Sequence, residues 1–515
     1  MPRRFSSYGP VDRRKHFVVE RRELIERCVS NLVGDEEGGH YFTIWAPRQT
    51  GKTSLIREAI EIINKGYRDK FDAIHITVES LIEADKLVSL QRIISKICEK
   101  LHREDFKINQ ETEFVNFFKG DKPLILVIDE VDALRSEVLS LLVHFFREMY
   151  HERQLYNLHG LALVGVRAVA GVESTRGSPF NVQRSLHVEN FSFDEVKDLF
   201  NQYMDEYGQK VTDEVIRLVY EKTDGHPGLV CWFGELLTEK YNPGKDKVID
   251  KKVFEDVYVN ALYLEPNNTV INIISKAKEY KQEVMSIYNR SDVRFTFDKE
   301  WCNYLYMHGV IKPYRVGRDM YCKISNEFIQ TRLFSAFTDD VLKLAAYDAL
   351  DPADELEDVF LEGRLNCRAL IERYRSYLKK LQERGINPFS HGIRRSDGRL
   401  YEAHGHFHLY SWLCEALKGR CTVIPEFPTG NGKVDILVKC GEDVMGLIEV
   451  KVYVNRWLFE RSLEQSYEYA KKLGMEEITI ALFVSKEDPE FLKKLQRTEE
   501  YKGLTIHIEP IMWVY

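Results

Sequence analysis

The sequence predicts an α/β protein in two parts. A parallel sheet wrapped by helices comes first, followed by a helical segment with a strand hairpin, and a second, smaller α/β unit ends the chain. Three stretches predict this. The apolar run Tyr41-Phe42-Thr43-Ile44-Trp45 enters the loop Ala46-Pro47-Arg48-Gln49-Thr50-Gly51-Lys52-Thr53-Ser54, and a helix-compatible stretch continues to Lys65. A second apolar run, residues 123–128, ends in Asp129-Glu130. Far downstream, residues 433–438 and 446–452 read as adjacent strands that carry Asp435, Glu449 and Lys451 inside apolar runs.

Composition bounds the reading. A chain of 515 residues accommodates two to four domains, and 44% hydrophobic with 30% charged residues describes a globular protein with ample core. The net charge of -8 excludes a global basic field, so any nucleic-acid site is local. Nine scattered cysteines with no Cys-x-x-Cys pair point to reduced thiols in a cytoplasmic protein rather than a disulfide framework or a zinc site. Met1-Pro2-Arg3-Arg4 is basic but no apolar stretch follows, so a signal peptide is not expected. No apolar run is long enough for a membrane span.

Taken in order, residues 1–16 form a basic arm, and Phe17-Val18-Val19 leads into a charged helix ending near Gly34. The strand, the loop ending Gly-Lys-Thr and the helix that follows make the context of a phosphate-binding loop. Backbone N–H groups at the helix start face an anion, Lys52 reaches the outer phosphates and the Thr53 hydroxyl can ligate Mg²⁺. Ala46 stands where the pattern usually has its first glycine. Residues 73–78 form a buried strand, and an amphipathic helix carries Leu87, Leu90, Ile93, Ile94 and Ile97 at helical spacing. Asp129 emerges at the end of its strand, where it can hold the water shell of Mg²⁺, and Glu130 can polarise an attacking water. Arg167 ends the next strand, 160–167, where a cation could read the γ-phosphate. Ser192-Phe193-Asp194-Glu195 is a capping box opening a helix to Tyr207. Gly225-His226-Pro227-Gly228 joins two helices where a lid would approach the nucleotide base. From 265 to 336, helix, strand, turn at Gly317 and strand suggest a winged helix. Its wing carries Lys312, Arg315, Arg318 and Lys323, as DNA contacts or, the favoured reading, as an ordinary solvated surface.

The last 115 residues read as a separate unit. Asp435 lies fourteen residues before Glu449, and strand alternation puts Glu449 and Lys451 on one face. Two carboxylates offer hard oxygen ligands for Mg²⁺ or Mn²⁺, and Lys451 can orient water or stabilise a five-coordinate phosphate. Glu402, on the preceding helix, can complete the acidic cluster. Gln465 and Tyr469 share one face of a later helix. His404 and His408 are spaced as metal ligands, but without partners elsewhere a zinc site is not predicted.

Residues 10–345 resemble the AAA-like, STAND-related ATPases of bacteria and archaea. The resemblance rests on Gly9-Pro10-Val11-Asp12, the 46–53 loop, the 127–130 strand end, Gly165-Val166-Arg167, the 177–181 loop and Gly225-His226-Pro227. It makes the Ala46 form of the loop ordinary, and it implies that Arg167 and Pro227 contact nucleotide. Residues 400–485 resemble the PD-(D/E)xK nuclease domains of the RecB-like branch fused to such ATPases, through Glu402, residues 430–435, Glu449-x-Lys451 and residues 465–469. There Gln465 would support the active site or touch DNA.

The expectation is therefore an arm (1–16), a P-loop ATPase domain with helical lid (17–262), a winged helix (263–345), a linker and helix (346–398) and a nuclease domain (399–515). ATP and Mg²⁺ would bind at residues 46–54, Asp129, Arg167 and Pro227, with Glu130 as base. Nucleotide state would control a Mg²⁺-dependent DNA nuclease, in a mobile-element or defence setting. A homo-oligomer is expected because no arginine finger can be assigned in cis. The alternative is a nucleotide-switch protein that binds DNA or a partner and carries an inactive nuclease fold.

Overall fold

The computed structural model describes residues 3–7, 9, 11–35, 38–81, 85–165, 185–289, 293–342, 356–361, 363–385, 389, 402–428, 433–441, 444–453, 463–464, 466–467, 470–471, 473–485 and 488–513. Arg167, the 177–181 loop, the 430–432 turn, Gln465 and Tyr469 lie outside the described residues, as does the side chain of Glu402. The chain divides into two compact units, Met1–Tyr280 with Arg294–Ile329, and Lys281–Val293 with Gln330–Tyr515.

The first unit opens with α1 (Arg22–Val33), β1 (Tyr41–Trp45), α2 (Lys52–Gly66), β2 (Asp72–Thr77) and α3 (Lys86–Leu101). It continues through β3 (Leu124–Asp129), α4 (Ser136–His151), β4 (Leu158–Gly165) and β5 (Leu186–His187). These five strands form one sheet, ordered β2-β3-β4-β1-β5, and every neighbouring pair is parallel. A parallel sheet is covered on both faces, which is why β1 and β3 are apolar and buried along their whole length. One face packs Ile74, Ile76, Leu126 and Ile128 with residues of α3 and α4, and the other packs Ala73, Val127, Ile44 and Ala46 with α1 and α2. Because β4 separates β1 from β3, their C-terminal ends flank a crevice, the place where open α/β sheets bind ligands.

Helices follow: α5 (Phe193–Tyr207), α6 (Asp213–Thr223), α7 (Pro227–Glu235), α8 (Lys251–Tyr263) and α9 (Asn268–Glu279). The capping box at Ser192 and Glu195 is formed as the sequence predicts, and Thr212, Asp250 and Asn267 cap α6, α8 and α9. The N-terminal arm is a packed strap. Phe5 is buried among the rings of Phe17, Phe200 and Tyr203, a contact that contributes about 2 kcal/mol. It lies so close to α7 that a Cβ on Gly234 would stand 2.5 Å from its ring. After α10 (Lys281–Asn289), which belongs to the second unit, α11 (Glu300–Met307) leads into the antiparallel hairpin β6 (Ile311–Val316) and β7 (Asp319–Ile324).

The second unit takes in part of α12 (Glu327–Leu342), then β8 (Phe360–Leu361), β9 (Arg364–Leu365), α13 (Cys367–Glu383) and α14 (Glu402–Ala416). The strands β10 (Thr422–Pro428), β11 (Lys433–Cys440), β12 (Val444–Val452), β13 (Glu477–Val484), β14 (Arg497–Tyr501) and β15 (Leu504–Met512) form one mixed sheet. Its order is β10-β11-β12-β13-β15-β14, with β12, β13 and β15 mutually parallel. Two expectations are corrected here. The helix placed in a linker belongs to this unit: α13 buries Leu370, Ile371, Tyr374, Leu378 and Leu381 and packs on β13 and β15. The cysteines are not all thiols. Thr422 pairs with Lys439 across the β10–β11 hairpin, which sets Cys421 opposite Cys440, and the two are disulfide-bonded. The other seven are not disulfide-bonded. Among the described residues, no helix is long and apolar enough to cross a membrane.

Candidate functional site

The loop after β1 is shaped by its own side chains. The Thr50 hydroxyl donates to the Pro47 carbonyl at 2.9 Å. Gly51 has φ 93°, a conformation glycine adopts without a Cβ penalty, and α2 starts at the next residue. Ala46 needs no such freedom, because its φ is not positive, and its methyl group is buried in the core between β1 and α2. The departure from the glycine pattern thus carries no conformational cost. Lys52 is buried, and its Nζ donates to the carbonyls of Ala46 (2.9 Å) and Pro47 (2.8 Å). Burial pulls its pKa down, against the pull of the Glu130, Asp129 and Asp132 carboxylates.

Thr53 Oγ1 donates to Asp129 Oδ2 at 2.9 Å, and the Glu130 N–H donates to Asp129 Oδ1 at 2.9 Å. Burial raises the Asp129 carboxyl, but its contacts with His75, Thr53 and the Glu130 N–H prevail and leave it below the usual aspartate value. Glu130 sits at φ 60°, an uncommon left-handed conformation for a non-glycine residue and a recurrent mark of functional sites. Its carboxyl is pushed up by burial and by the Asp129 charge. Asp132 completes an acidic edge, lying over Gly165, where a Cβ would meet its Oδ2 at 2.2 Å.

The first turn of α7 meets this loop. The Gly228 N–H donates to the Gln49 carbonyl at 3.0 Å, and a Cβ on Gly228 would stand 2.6 Å from Gln49 Oε1. Pro227 is the first residue of the helix, where its missing N–H costs nothing. His226 caps it from a fully enclosed position, and burial pushes its pKa down to about 4. Sequence reasoning missed the third side of the crevice. Gly309, after α11, lies against Pro47, Tyr306 packs edge-on against Trp45, and Lys312 pairs with Asp224 at 2.6 Å. Three of the four wing cations are engaged within their own unit, since Arg315 also donates to the Gly317 carbonyl and Lys323 lies over the Tyr314 ring. Also missed was His75 on β2, 3.4 Å from Asp129 Oδ2.

In the second unit, Ile436–Ile448 is the last register pair between β11 and β12, and Asp435 and Glu449 lie one step beyond it. Lys451 Nζ is 2.9 Å from Glu449 Oε1 and 3.4 Å from Asp435 Oδ2, and the Val450 N–H donates to the same Asp435 oxygen at 2.7 Å. The three predicted side chains therefore converge. Glu402 is the first residue of α14, the helix that carries His406, whose Nε2 lies 2.9 Å from the Asp435 carbonyl. His408 is a core residue. It bonds the Tyr374 hydroxyl at 2.7 Å, and burial pushes its pKa down to about 4. Among the described residues, no group of three or more His, Cys, Asp or Glu side chains is arranged to hold a metal ion.

The profile of the AAA-like domain family matches residues 6–312. Among solved structures, the chain is similar to a Walker-type ATPase of Pyrococcus abyssi at 17% identity and TM-score 0.43, covering 64% of this chain and 99% of that one. It is similar to a RuvB variant of Thermotoga maritima at 14% identity and TM-score 0.34, covering 59% and 92%. It is also similar to the ORC1 protein of Aeropyrum pernix in complex with DNA, at 12% identity and TM-score 0.34, covering 64% and 95%. No curated protein matches the sequence. With well over half of its length matched by that one profile, and with a loop, an Asp-Glu strand and a parallel sheet arranged around one crevice, the chain belongs to the AAA-like domain family.

Proposed function

We propose that the protein binds and hydrolyses ATP in the first unit, and that its nucleotide state regulates a Mg²⁺-dependent DNA nuclease in the second. The α2 N-terminus and Lys52 form a cradle of N–H donors and positive charge suited to phosphates. Thr53 Oγ1 and Asp129, already in contact, are hard oxygen donors that fit Mg²⁺. Bound there, the ion would neutralise charge on the outer phosphates. Lys52 would leave its two carbonyls for a phosphate oxygen, and Glu130 would accept a proton from the attacking water. Arg167 and Pro227 are proposed nucleotide contacts.

The observation that carries the nuclease reading is the convergence of Asp435, Glu449 and Lys451. Two carboxylates with one ammonium leave a net negative charge where Glu449 is almost wholly buried, and a divalent cation, Mg²⁺ or Mn²⁺, would offset it. Asp435 and Glu449 would hold the metal, which supplies Lewis-acid activation of the scissile phosphate, while Lys451 would orient water or donate to the phosphate oxygens. Glu402 and Gln465 are proposed as supporting residues, and the α11–hairpin segment as a winged helix.

The test is cleavage of plasmid and single-stranded DNA with Mg²⁺ or Mn²⁺, with and without ATP. Asp435→Ala is expected to lose cleavage by at least about 100-fold. Equal behaviour of the two proteins across metals and substrates sinks the nuclease reading. Nucleotide-dependent DNA binding without cleavage would then favour a switch protein with an inactive nuclease fold.

A further inference from the structure

His75 is a polar residue in a place that asks for an apolar one. Its strand neighbours Ala73, Ile74 and Ile76 are all buried core residues. The register pairs His75 with Val127 and Thr77 with Asp129, so His75 lies on the same sheet face as Asp129, the face covered by α2. Its side chain is 16% exposed, and Nε2 is 3.4 Å from Asp129 Oδ2, the oxygen that also accepts from Thr53. Apart from that contact, Nε2 is buried without a hydrogen-bond partner among the described residues. Burying such a nitrogen costs about 1–3 kcal/mol, which packing alone does not explain, since a valine would suit this strand.

The nucleotide site supplies a reason. Thr53 Oγ1 is the group expected to serve Mg²⁺, and in the structure it is also the side chain that holds Asp129 Oδ2. A carboxylate that must keep its orientation when the threonine oxygen is shared with a cation needs a second anchor. That anchor must not compete for the metal. We propose that His75 is this anchor: a positioning residue that fixes the Asp129 carboxylate and so sets the contribution of Mg²⁺ to nucleotide binding. The inference rests on the nucleotide-binding reading above. Partners that orient metal-ligating carboxylates typically change metal affinity by about 10–100-fold when removed.

The experiment is titration of the full chain with a fluorescent ATP analogue, in excess Mg²⁺ and in EDTA, for the unsubstituted protein, His75→Ala, His75→Asn and His75→Gln. In EDTA all four are expected to bind within about twofold of one another. With Mg²⁺, Ala and Asn, which cannot reach Asp129, should lose about tenfold of the Mg²⁺-dependent gain, and Gln, which can place an N–H near the Nε2 position, should recover most of it. The Asn variant keeps the test open if the Ala variant does not fold. An unchanged Mg²⁺-dependent gain in Ala and Asn overturns the inference. So does an equal loss with and without metal, which would make His75 merely structural. Failure of the unsubstituted protein to bind the analogue at all overturns the nucleotide reading along with it.

Discussion

Lys52 and Lys451 are both sheltered lysines at the C-terminal end of a strand or just beyond one, yet their charges are met in opposite ways. Lys52 rests on two neutral carbonyls of its own loop, and the nearby carboxylates act on it only at longer range. Lys451 is held directly by Glu449 and Asp435. The first arrangement leaves a positive charge ready for an anion. The second spends the ammonium on two carboxylates. In the proposed reading, that difference suits one lysine to a phosphate cradle and the other to a cluster of metal ligands.

The largest effect expected from that difference is on stability. Lys451→Met removes the ammonium that bridges two carboxylates, one of them buried, and should cost the second unit about 3–5 kcal/mol. Urea unfolding with hydrogen exchange in β11 and β12 measures it, and adding Glu449→Gln should restore part of the loss. Lys52→Met strands only carbonyls and relieves a buried charge, so its stability change should stay within about 1 kcal/mol. Its cost should appear instead as a loss of nucleotide affinity of about 100-fold, roughly 2.7 kcal/mol. If Lys52→Met unfolds the first unit, or Lys451→Met leaves the second untouched, the contrast between the two lysines is wrong.

A smaller effect separates the loop from its surroundings. Gly228→Ala would press a methyl group on Gln49, with about 1–3 kcal/mol of overpacking and weaker nucleotide binding. Gly66→Ala, at the end of α2 with nothing within 4 Å, is the control, expected to be neutral or stabilising by up to about 1 kcal/mol. Equal consequences for the two would mean that α7 does not brace the loop.

Local chemistry made the two lysine sites legible. Gly51-Lys52-Thr53 after an apolar strand, and Asp435 with Glu449-x-Lys451 on alternating strands, announce themselves because charges inside apolar runs are costly without a purpose. What depended on non-local pairing was hidden. His75 acquires meaning only once β2 is known to lie beside β3 in parallel register. Cys421 and Cys440 become partners only when the hairpin register is fixed. The α13 stretch reads as a basic amphipathic helix in isolation, and only the structure says which sheet receives its apolar face. Ala46 illustrates the converse: the sequence flagged a departure, and its backbone conformation removes it.

The smallest expected effect is one the two units share. His226 and His408 are both enclosed, and burial holds each near pKa 4 against about 6.5 for an exposed histidine. The unfolded chain therefore takes up protons that the native state refuses. Stability is full above pH 6.5, falls as pH drops through the window down to about 4, and levels off below it as far as these groups are concerned. At pH 6 each histidine should cost about 0.8 kcal/mol. Denaturant midpoints measured from pH 7.5 to 5 test this, with His226→Gln and His408→Gln each expected to flatten the pH dependence of its own unit and leave that of the other unchanged. Because the Lys52 charge acts on His226, and His226 caps the helix whose first turn meets the phosphate loop, the His226 variant should also shift nucleotide affinity, whereas the His408 variant should not. A crossed result would mean that the acid response of the two units is set elsewhere.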